Sequence, residues 1–170
     1  MDTQSTVTIS HEIISHHVFS EVRRHIINGQ NALFSLRAFQ PGDIISEFYA
    51  GVISTEPTYL TVQTGVNRHI TLQPEYLQYI NHSCEPNVFF DTTAMQLVCL
   101  RPILPEEEMT FFYPSTEWNM AQPFNCYCGS AACLGEIRGA AYLTPPQLAK
   151  HRFTDFIQQQ LNERATEKRA

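Results

Sequence analysis

Three cysteines lie within eight residues, in the spacing Cys126-x-Cys128-x4-Cys133. Thiols one residue apart are poorly placed to form a disulfide with each other, but both can bind one metal ion. Thiolate sulfur is a preferred ligand of structural zinc, and a tetrahedral zinc needs four ligands, so a fourth must come from elsewhere in the chain. The chain has five cysteines and shows no secretory signal pattern at its N-terminus. Disulfides are therefore not expected, and reduced thiols are the alternative to a metal site.

Two other segments combine polar and aromatic side chains. Residues 81–87 read Asn-His-Ser-Cys-Glu-Pro-Asn, and residues 107–113 read Glu-Glu-Met-Thr-Phe-Phe-Tyr. The first matches Asn-His-Ser-Cys-x-Pro-Asn and the second resembles Glu-Glu-Leu-Thr-Phe-Asp-Tyr, the signatures of the SET-domain protein lysine methyltransferases. The cysteine spacing resembles the family's post-SET zinc motif. The three motifs stand in the family's order, so the chain resembles a SET plus post-SET protein without the cysteine-rich pre-SET module.

The resemblance implies a role for each motif. It places Tyr113 at the centre of methyl transfer, and it places Asn81 and His82 against S-adenosylmethionine, the methyl donor of the family. It adds Cys84 as the fourth zinc ligand. The resulting metal site is Cys84, Cys126, Cys128 and Cys133.

Aromatic residues around these motifs are candidates for the walls of a channel that admits the substrate. Ordinary core packing is at least as good an interpretation for each of them. The candidates are Tyr79, Phe111, Phe112 and Trp118.

The first cofactor segment departs from the family pattern. Where the family has Gly-x-Gly-Leu-Phe, this chain has Gln30 and Asn31 followed by Ala32, Leu33 and Phe34, which we assign to cofactor binding. Glycines at such positions let the backbone approach a ligand closely, so weaker cofactor binding is expected. Two alternatives follow: a zinc-stabilised binding module without methyl transfer, or a SET-fold enzyme that acts on a small molecule.

Methyl transfer to lysine requires a neutral amine aligned with the donor methyl group. A lysine amine has a pKa near 10.4, so its deprotonation at pH 7 costs roughly 4–5 kcal/mol. A narrow apolar channel reduces that cost because desolvation disfavours the charged form. The hydroxyl of Tyr113 is therefore interpreted as a group that orients the amine, rather than as a strong base.

The elements that must position these residues are mostly short strands. Residues 5–15, 44–49, 58–64, 69–72, 88–90, 95–100 and 109–112 are β-branched or aromatic runs, many of them bounded by turn residues. They predict a mainly antiparallel β domain. The resemblance adds the topology, a β-clip of small curled sheets around a pseudoknot in which the Asn81–Cys84 segment crosses the chain near Tyr113.

The end of the chain is predicted to be helical. Thr144 is a plausible N-cap before two prolines, and the apolar residues Ala149, Phe153, Ile157 and Leu161 recur every four residues. This stripe packs either on the chain's own body or in a homodimer. The expected organisation is an N-terminal arm over 1–14, a SET domain over 15–120, a post-SET segment over 121–140 and a C-terminal helix over 144–170.

Charge is distributed unevenly. The last 26 residues carry five bases and three acids, whereas the other 144 carry six bases and fourteen acids, a charge of −8. An acidic body favours a basic, lysine-containing protein or peptide as partner; improved solubility is the alternative explanation. Direct nucleic-acid binding and membrane insertion are not expected. The expected location is the cytoplasm, or also the nucleus in a eukaryote.

Overall fold

A computed structural model describes residues 10–169. In that range the strands are β1 (His11–His16), β2 (Ser20–His25), β3 (Asn31–Ser35), β4 (Ile44–Glu47), β5 (Tyr49–Ser54), β6 (Val62–Gly65), β7 (Arg68–Gln73), β8 (Asn81–His82), β9 (Val88–Asp91), β10 (Gln96–Cys99), β11 (Thr110–Phe111), β12 (Phe124–Asn125) and β13 (Glu136–Ile137). The helices are α1 (Pro145–Leu148) and α2 (Asp155–Glu167). Short 3-10 turns span Glu75–Tyr79, Tyr113–Ser115 and Ala140–Tyr142.

Three small antiparallel sheets form the body. Their strand orders are β1-β2-β3, β4-β10-β9 and β5-β7-β6. The run predicted as one strand over 44–49 is interrupted at Phe48, and its two parts join different sheets. The mainly β fold predicted from the sequence is confirmed.

A parallel pair brings the two signature segments together. Strand β8 pairs with β11 in the register Asn81 with Thr110 and Phe111 with His82. Asn87 fastens the crossing, because its side chain accepts from the Thr110 amide at 2.8 Å and donates to the Glu108 carbonyl at 2.8 Å. Asn87 is fully buried, so these bonds satisfy polar atoms that water does not reach. The segments expected to cross therefore lie side by side.

The main core lies between the sheets. Fully buried apolar side chains come from several strands and connecting segments, which fits strands that turn one face inward. Cys99 belongs to this core, as expected for a cysteine outside the metal motif. A second, smaller apolar cluster surrounds Cys84, Cys126 and Ile137.

The C-terminal region is not one helix over 144–170. Helix α1 ends after one turn, and α2 begins only at Asp155. Tertiary bonds hold the intervening segment open: the Thr154 amide donates to the Ser115 carbonyl at 3.0 Å, and the Thr154 hydroxyl caps α2 by accepting from the Ile157 amide. Ile157 is fully buried within the single chain, so at this position the stripe packs on the chain's own body.

The N-terminal arm predicted over 1–14 is described only from residue 10. Residues 1–9 lie outside the described range, and residues 11–14 belong to β1. Between residues 10 and 169, no helix has both the length and the apolar character needed to cross a membrane.

Candidate active site and metal centre

Four cysteines converge at the edge of the second cluster. The Sγ atoms of Cys84, Cys126, Cys128 and Cys133 all lie within 4.8 Å of one another. Cys84 comes from the loop after β8, and the other three come from the segment on either side of Gly129. The β12–β13 pair closes this segment, because the Cys126 amide donates to the Gly135 carbonyl at 2.7 Å.

The donor set fits a zinc ion. Four sulfurs at mutual distances below 4.8 Å suit the four positions of a closed tetrahedral site. Burial raises the pKa of Cys84, and it raises the pKa of Cys126 to about 11, so the cluster needs a cation to hold all its thiolates. Backbone amides already point at the sulfurs: Leu134 N–H donates to Cys84 and Cys128 N–H donates to Cys126, both at 3.4 Å.

His82 links this cluster to the second signature segment. Its Nδ1 accepts from the Tyr113 amide at 3.1 Å, so Nε2 carries the ring proton and lies 3.4 Å from the Cys84 sulfur. Burial and the neighbouring His151 lower the pKa of His82 to about 4, which agrees with a neutral ring. The side chain is thus occupied within the protein, although the residue also lines the cavity described next.

A cavity of about 1150 Å³ opens beside the parallel pair. Its walls come from residues 57–62, the 3-10 turn over Glu75–Tyr79, strands β8 and β11, and the segment 120–128. Of the described residues that line it, none is lysine or arginine, and the only carboxyl groups are those of Glu108 and Glu117. The cavity is therefore suited to a ligand that is cationic in part.

Asn81 lies on the wall of this cavity. Its Nδ2 donates to the Asn31 carbonyl at 2.9 Å and to Glu108 at 3.3 Å. Its Oδ1 accepts no hydrogen bond from the described residues, and so it remains open to a ligand. Burial raises the pKa of Glu108, while the bond from Asn81 opposes that rise.

The first cofactor segment meets the cavity at a different point from the one predicted. Gln30 and Asn31 line it, whereas Ala32, Leu33 and Phe34 do not. These three residues lie in β3, where Ala32 and Leu33 are buried, and the Phe34 ring packs against His11. Ala32 and Leu33 are thus turned into the protein and Phe34 is half-buried, and the assignment of these three residues to cofactor contact stays a prediction.

Tyr113 lines the cavity and packs against the apolar cluster that contains Cys84 and Cys126. Its ring packs at 4.7 Å from Phe111 and 5.8 Å from Phe124, measured between centroids. The hydroxyl makes no hydrogen bond to any residue in 10–169. Burial, with Glu108 and Glu117 nearby, raises the pKa of Tyr113 to about 12, so the phenol is neutral at pH 7 and can donate a hydrogen bond.

Two of the four aromatic channel candidates line the cavity. They are Tyr79 and Phe111. Phe112 points to the opposite side of β11, where its ring stacks on His151 at 3.7 Å, because neighbouring residues of an extended chain face opposite ways. Trp118 is also absent from the described lining, and the guanidinium of Arg164 lies 5.3 Å above its ring. Neither Phe112 nor Trp118 is among the described residues that line this cavity, and a channel role for them stays a prediction.

Glu117 is a cavity residue that the sequence reasoning missed. Burial raises the pKa of its carboxyl to about 8, although hydrogen bonds from Gln63 and Thr116 oppose that rise. The available signal was a single acid four residues after Tyr113, in a stretch over 109–135 that is otherwise uncharged. Such an acid ordinarily lies on the surface, so its burial could not be inferred.

Comparison with known proteins agrees with these motifs. The family model described as the SET domain matches residues 30–114, half of the chain. Methyltransferase flvH of Aspergillus flavus is 41% identical over 119 residues, 69% of this chain and 66% of that protein. The H3 lysine-36-specific histone-lysine N-methyltransferase of Schizosaccharomyces pombe is 34% identical over 88 residues, 48% of this chain and 11% of that protein. The protein of the same description from Saccharomyces cerevisiae is 31% identical over 102 residues, 54% of this chain and 14% of that protein. The chain spans less than two thirds of each of these relatives.

Proposed function

The chain belongs to the SET-domain methyltransferase family, and from the site its own residues build we infer that it transfers the methyl group of S-adenosylmethionine to a lysine side-chain amine. The acceptor lysine lies in a protein or basic peptide. One observation carries this proposal. A single cavity is lined by Asn81, whose Oδ1 is open, and by Tyr113, whose hydroxyl is unpaired, and its described lining contains two carboxyl groups and no lysine or arginine.

Bound S-adenosylmethionine supplies an electrophilic methyl group on a positively charged sulfur. The chain's residues would exclude water and hold the amine and the donor in the required orientation. Tyr79 and Phe111 exclude water from the amine, which favours its neutral form. The Tyr113 hydroxyl orients the nitrogen, and Asn81 holds the donor.

The four cysteines would hold one structural zinc ion. A closed set of four thiolates leaves no position open for a substrate, so the ion supplies folding energy rather than chemistry. Its place between Cys84 and the segment 126–133 would fix the wall of the cavity formed by residues 120–128.

Calorimetric titration with S-adenosylmethionine tests the cofactor part of the proposal. We expect saturable binding by the parent and its loss in Asn81→Ala, because the truncation leaves the bonding partners of Asn81 unpaired. Asn162→Ala, an exposed asparagine on α2, is the matched control and should bind like the parent. Absence of binding by the parent at millimolar cofactor would reject the proposal.

Labelled methyl transfer to a basic peptide tests the acceptor. A peptide with one lysine should be labelled, and the same peptide with arginine at that position should not, since arginine keeps the charge but removes the amine. Equal labelling of both peptides would show that the methyl group goes elsewhere.

A small cationic amine is the second candidate acceptor. A relative that shares 41% identity over 69% of this chain is named as a methyltransferase without reference to a histone. In addition, Gln30 lies at the cavity edge in a position where the family pattern has glycine. Mass spectrometry of the labelled product separates the two candidates, because a free amine and a peptide differ in mass.

A further inference from the structure

Glu117 follows Tyr113 by one turn of the chain. The Glu117 amide donates to the Tyr113 carbonyl at 3.1 Å, so the two side chains belong to one rigid turn. Glu117 is buried, with 9% of its surface exposed, and it lines the same cavity as Tyr113. A carboxyl group is thus built into the wall beside the reacting end of the site.

Strand β6 holds this carboxyl in one orientation. The Gln63 amide donates to Oε1 of Glu117 at 3.0 Å, and the side-chain Oε1 of Gln63 accepts from the Trp118 amide at 3.0 Å. The Thr116 hydroxyl lies 3.3 Å from the same carboxyl oxygen. Both bonds to the Glu117 carboxyl use its Oε1, whereas its Oε2 receives no hydrogen bond from residues 10–169. The second oxygen is therefore free to meet a ligand.

The cavity offers this carboxyl no positive partner. None of its described lining residues is lysine or arginine, and the other carboxyl there, Glu108, is already bonded to Asn81. A buried acid without a cation is costly, and burial raises the pKa of Glu117 to about 8. A cation that enters the cavity would relieve that cost, as is common for perturbed groups at functional sites.

We propose that Glu117 selects a cationic alkylamine as the methyl acceptor and takes one proton from it; this inference rests on the methyl-transfer function proposed above. Entry of the ammonium lowers the pKa of Glu117, so the proton that the carboxyl carries in the empty cavity leaves to solvent and the ammonium pairs with the ionised carboxyl. One proton then moves from the nitrogen to Oε2, which leaves a neutral amine and a carboxylic acid. The freed lone pair forms the N–C bond while the C–S bond of the donor breaks, and the electron pair of that bond stays on sulfur.

Glu117 would recognise the acceptor by its positive charge. An alcohol of equal length offers no positive charge to pair with Glu117, and an acceptor with a carboxylate in place of its amine would be repelled by the ionised Glu117. Lysine side chains and free alkylamines share the required ammonium group. The site therefore discriminates first by charge, and only then by what surrounds the amine.

Binding of n-butylammonium, which reproduces the end of a lysine side chain, tests the inference. NMR titration at pH 7.5 compares it with n-butanol, the neutral molecule of equal length. We expect the parent to bind the ammonium at least about 10-fold more tightly than the alcohol, since a hydrogen-bonded charge pair is worth about that factor or more. Glu117→Gln should remove the preference. Glu56→Gln, which changes an exposed acid beside the wall segment 57–62 by the same charge, should retain it.

The outcomes separate the two proposals. If the parent binds n-butylammonium no more tightly than n-butanol, the proposed role of Glu117 is overturned without a variant. A Glu117→Gln protein that keeps the preference overturns it as well. Failure of the parent to bind S-adenosylmethionine rejects the methyl-transfer function instead, and that result leaves the charge preference of the cavity as an independent measurement.

Discussion

The buried carboxyl of Glu117 should make the protein less stable as pH rises. A carboxyl whose pKa is higher in the folded chain binds its proton more tightly there, so its stabilising effect is complete below the unfolded pKa and is lost as pH rises through the folded pKa. For Glu117 the pKa rises from 4.5 to about 8. That rise corresponds to at most about 5 kcal/mol, at 1.36 kcal/mol for each tenfold change in proton affinity. Because water enters such cavities, we expect about 2–5 kcal/mol.

Urea unfolding at pH 5 and pH 8.5 measures this effect. Glu117→Gln keeps an oxygen for the Gln63 amide but carries no titrating proton, so its free energy of unfolding should fall less between the two pH values than that of the parent. Because pH 5 to pH 8.5 does not cover the whole titration, the difference between the two changes should be about 2–4 kcal/mol. Other titrating groups, including the thiols, cancel because both proteins contain them. Glu56→Gln should behave like the parent. Equal pH dependence in the parent and Glu117→Gln would refute the assignment of a buried, proton-bearing carboxyl.

Three further changes follow from the site and its supports. Tyr113→Phe should reduce methyl transfer by about 100-fold while calorimetry shows unchanged cofactor affinity, because the hydroxyl is unpaired in the protein and acts on the reacting groups; parental turnover would make Tyr113 a packing residue. Purified protein should contain one zinc per chain by metal analysis, and chelation should increase hydrogen exchange over residues 124–137 before the β body unfolds; zinc-free protein with the same exchange rates would contradict the site. Gly139→Ala should lower the free energy of unfolding by at least about 1–3 kcal/mol, since Gly139 has φ +121° and a Cβ there would lie 2.5 Å from the Trp118 carbonyl oxygen; a parental urea midpoint would contradict this.

Sequence reasoning predicted the elements that depend on local pattern. Short apolar runs bounded by turn residues correspond to β4, to the β6–β7 pair and to the β9–β10 pair, because alternation and turn chemistry act over a few residues. Most of β5 was not predicted. The four cysteines that the family resemblance groups together also lie together. The pairing of β8 with β11 came only from that resemblance, since no local signal specifies a parallel contact between distant segments.

The failures share a physical cause, which is tertiary contact. Helical periodicity continues through 149–154, but the Thr154 amide bonds to the Ser115 carbonyl and the His151 side chain bonds to the Cys84 carbonyl, and these contacts hold the segment out of a continuous helix. The burial of Glu117 has no local signal, because it depends on β6, which lies more than fifty residues earlier.

Two histidines connect the cluster of four cysteines to Tyr113 and Phe112. His82 accepts from the Tyr113 amide and lies 3.4 Å from the Cys84 sulfur. His151 stacks on Phe112 at 3.7 Å, and its Nε2 lies 3.0 Å from the Cys84 carbonyl oxygen. One cysteine is thus joined through two rings to both residues at the end of the second signature segment. A zinc ion that fixes Cys84 would therefore also fix the backbone that carries the Tyr113 hydroxyl, so the four cysteines would hold Tyr113 in place as well as one wall of the cavity.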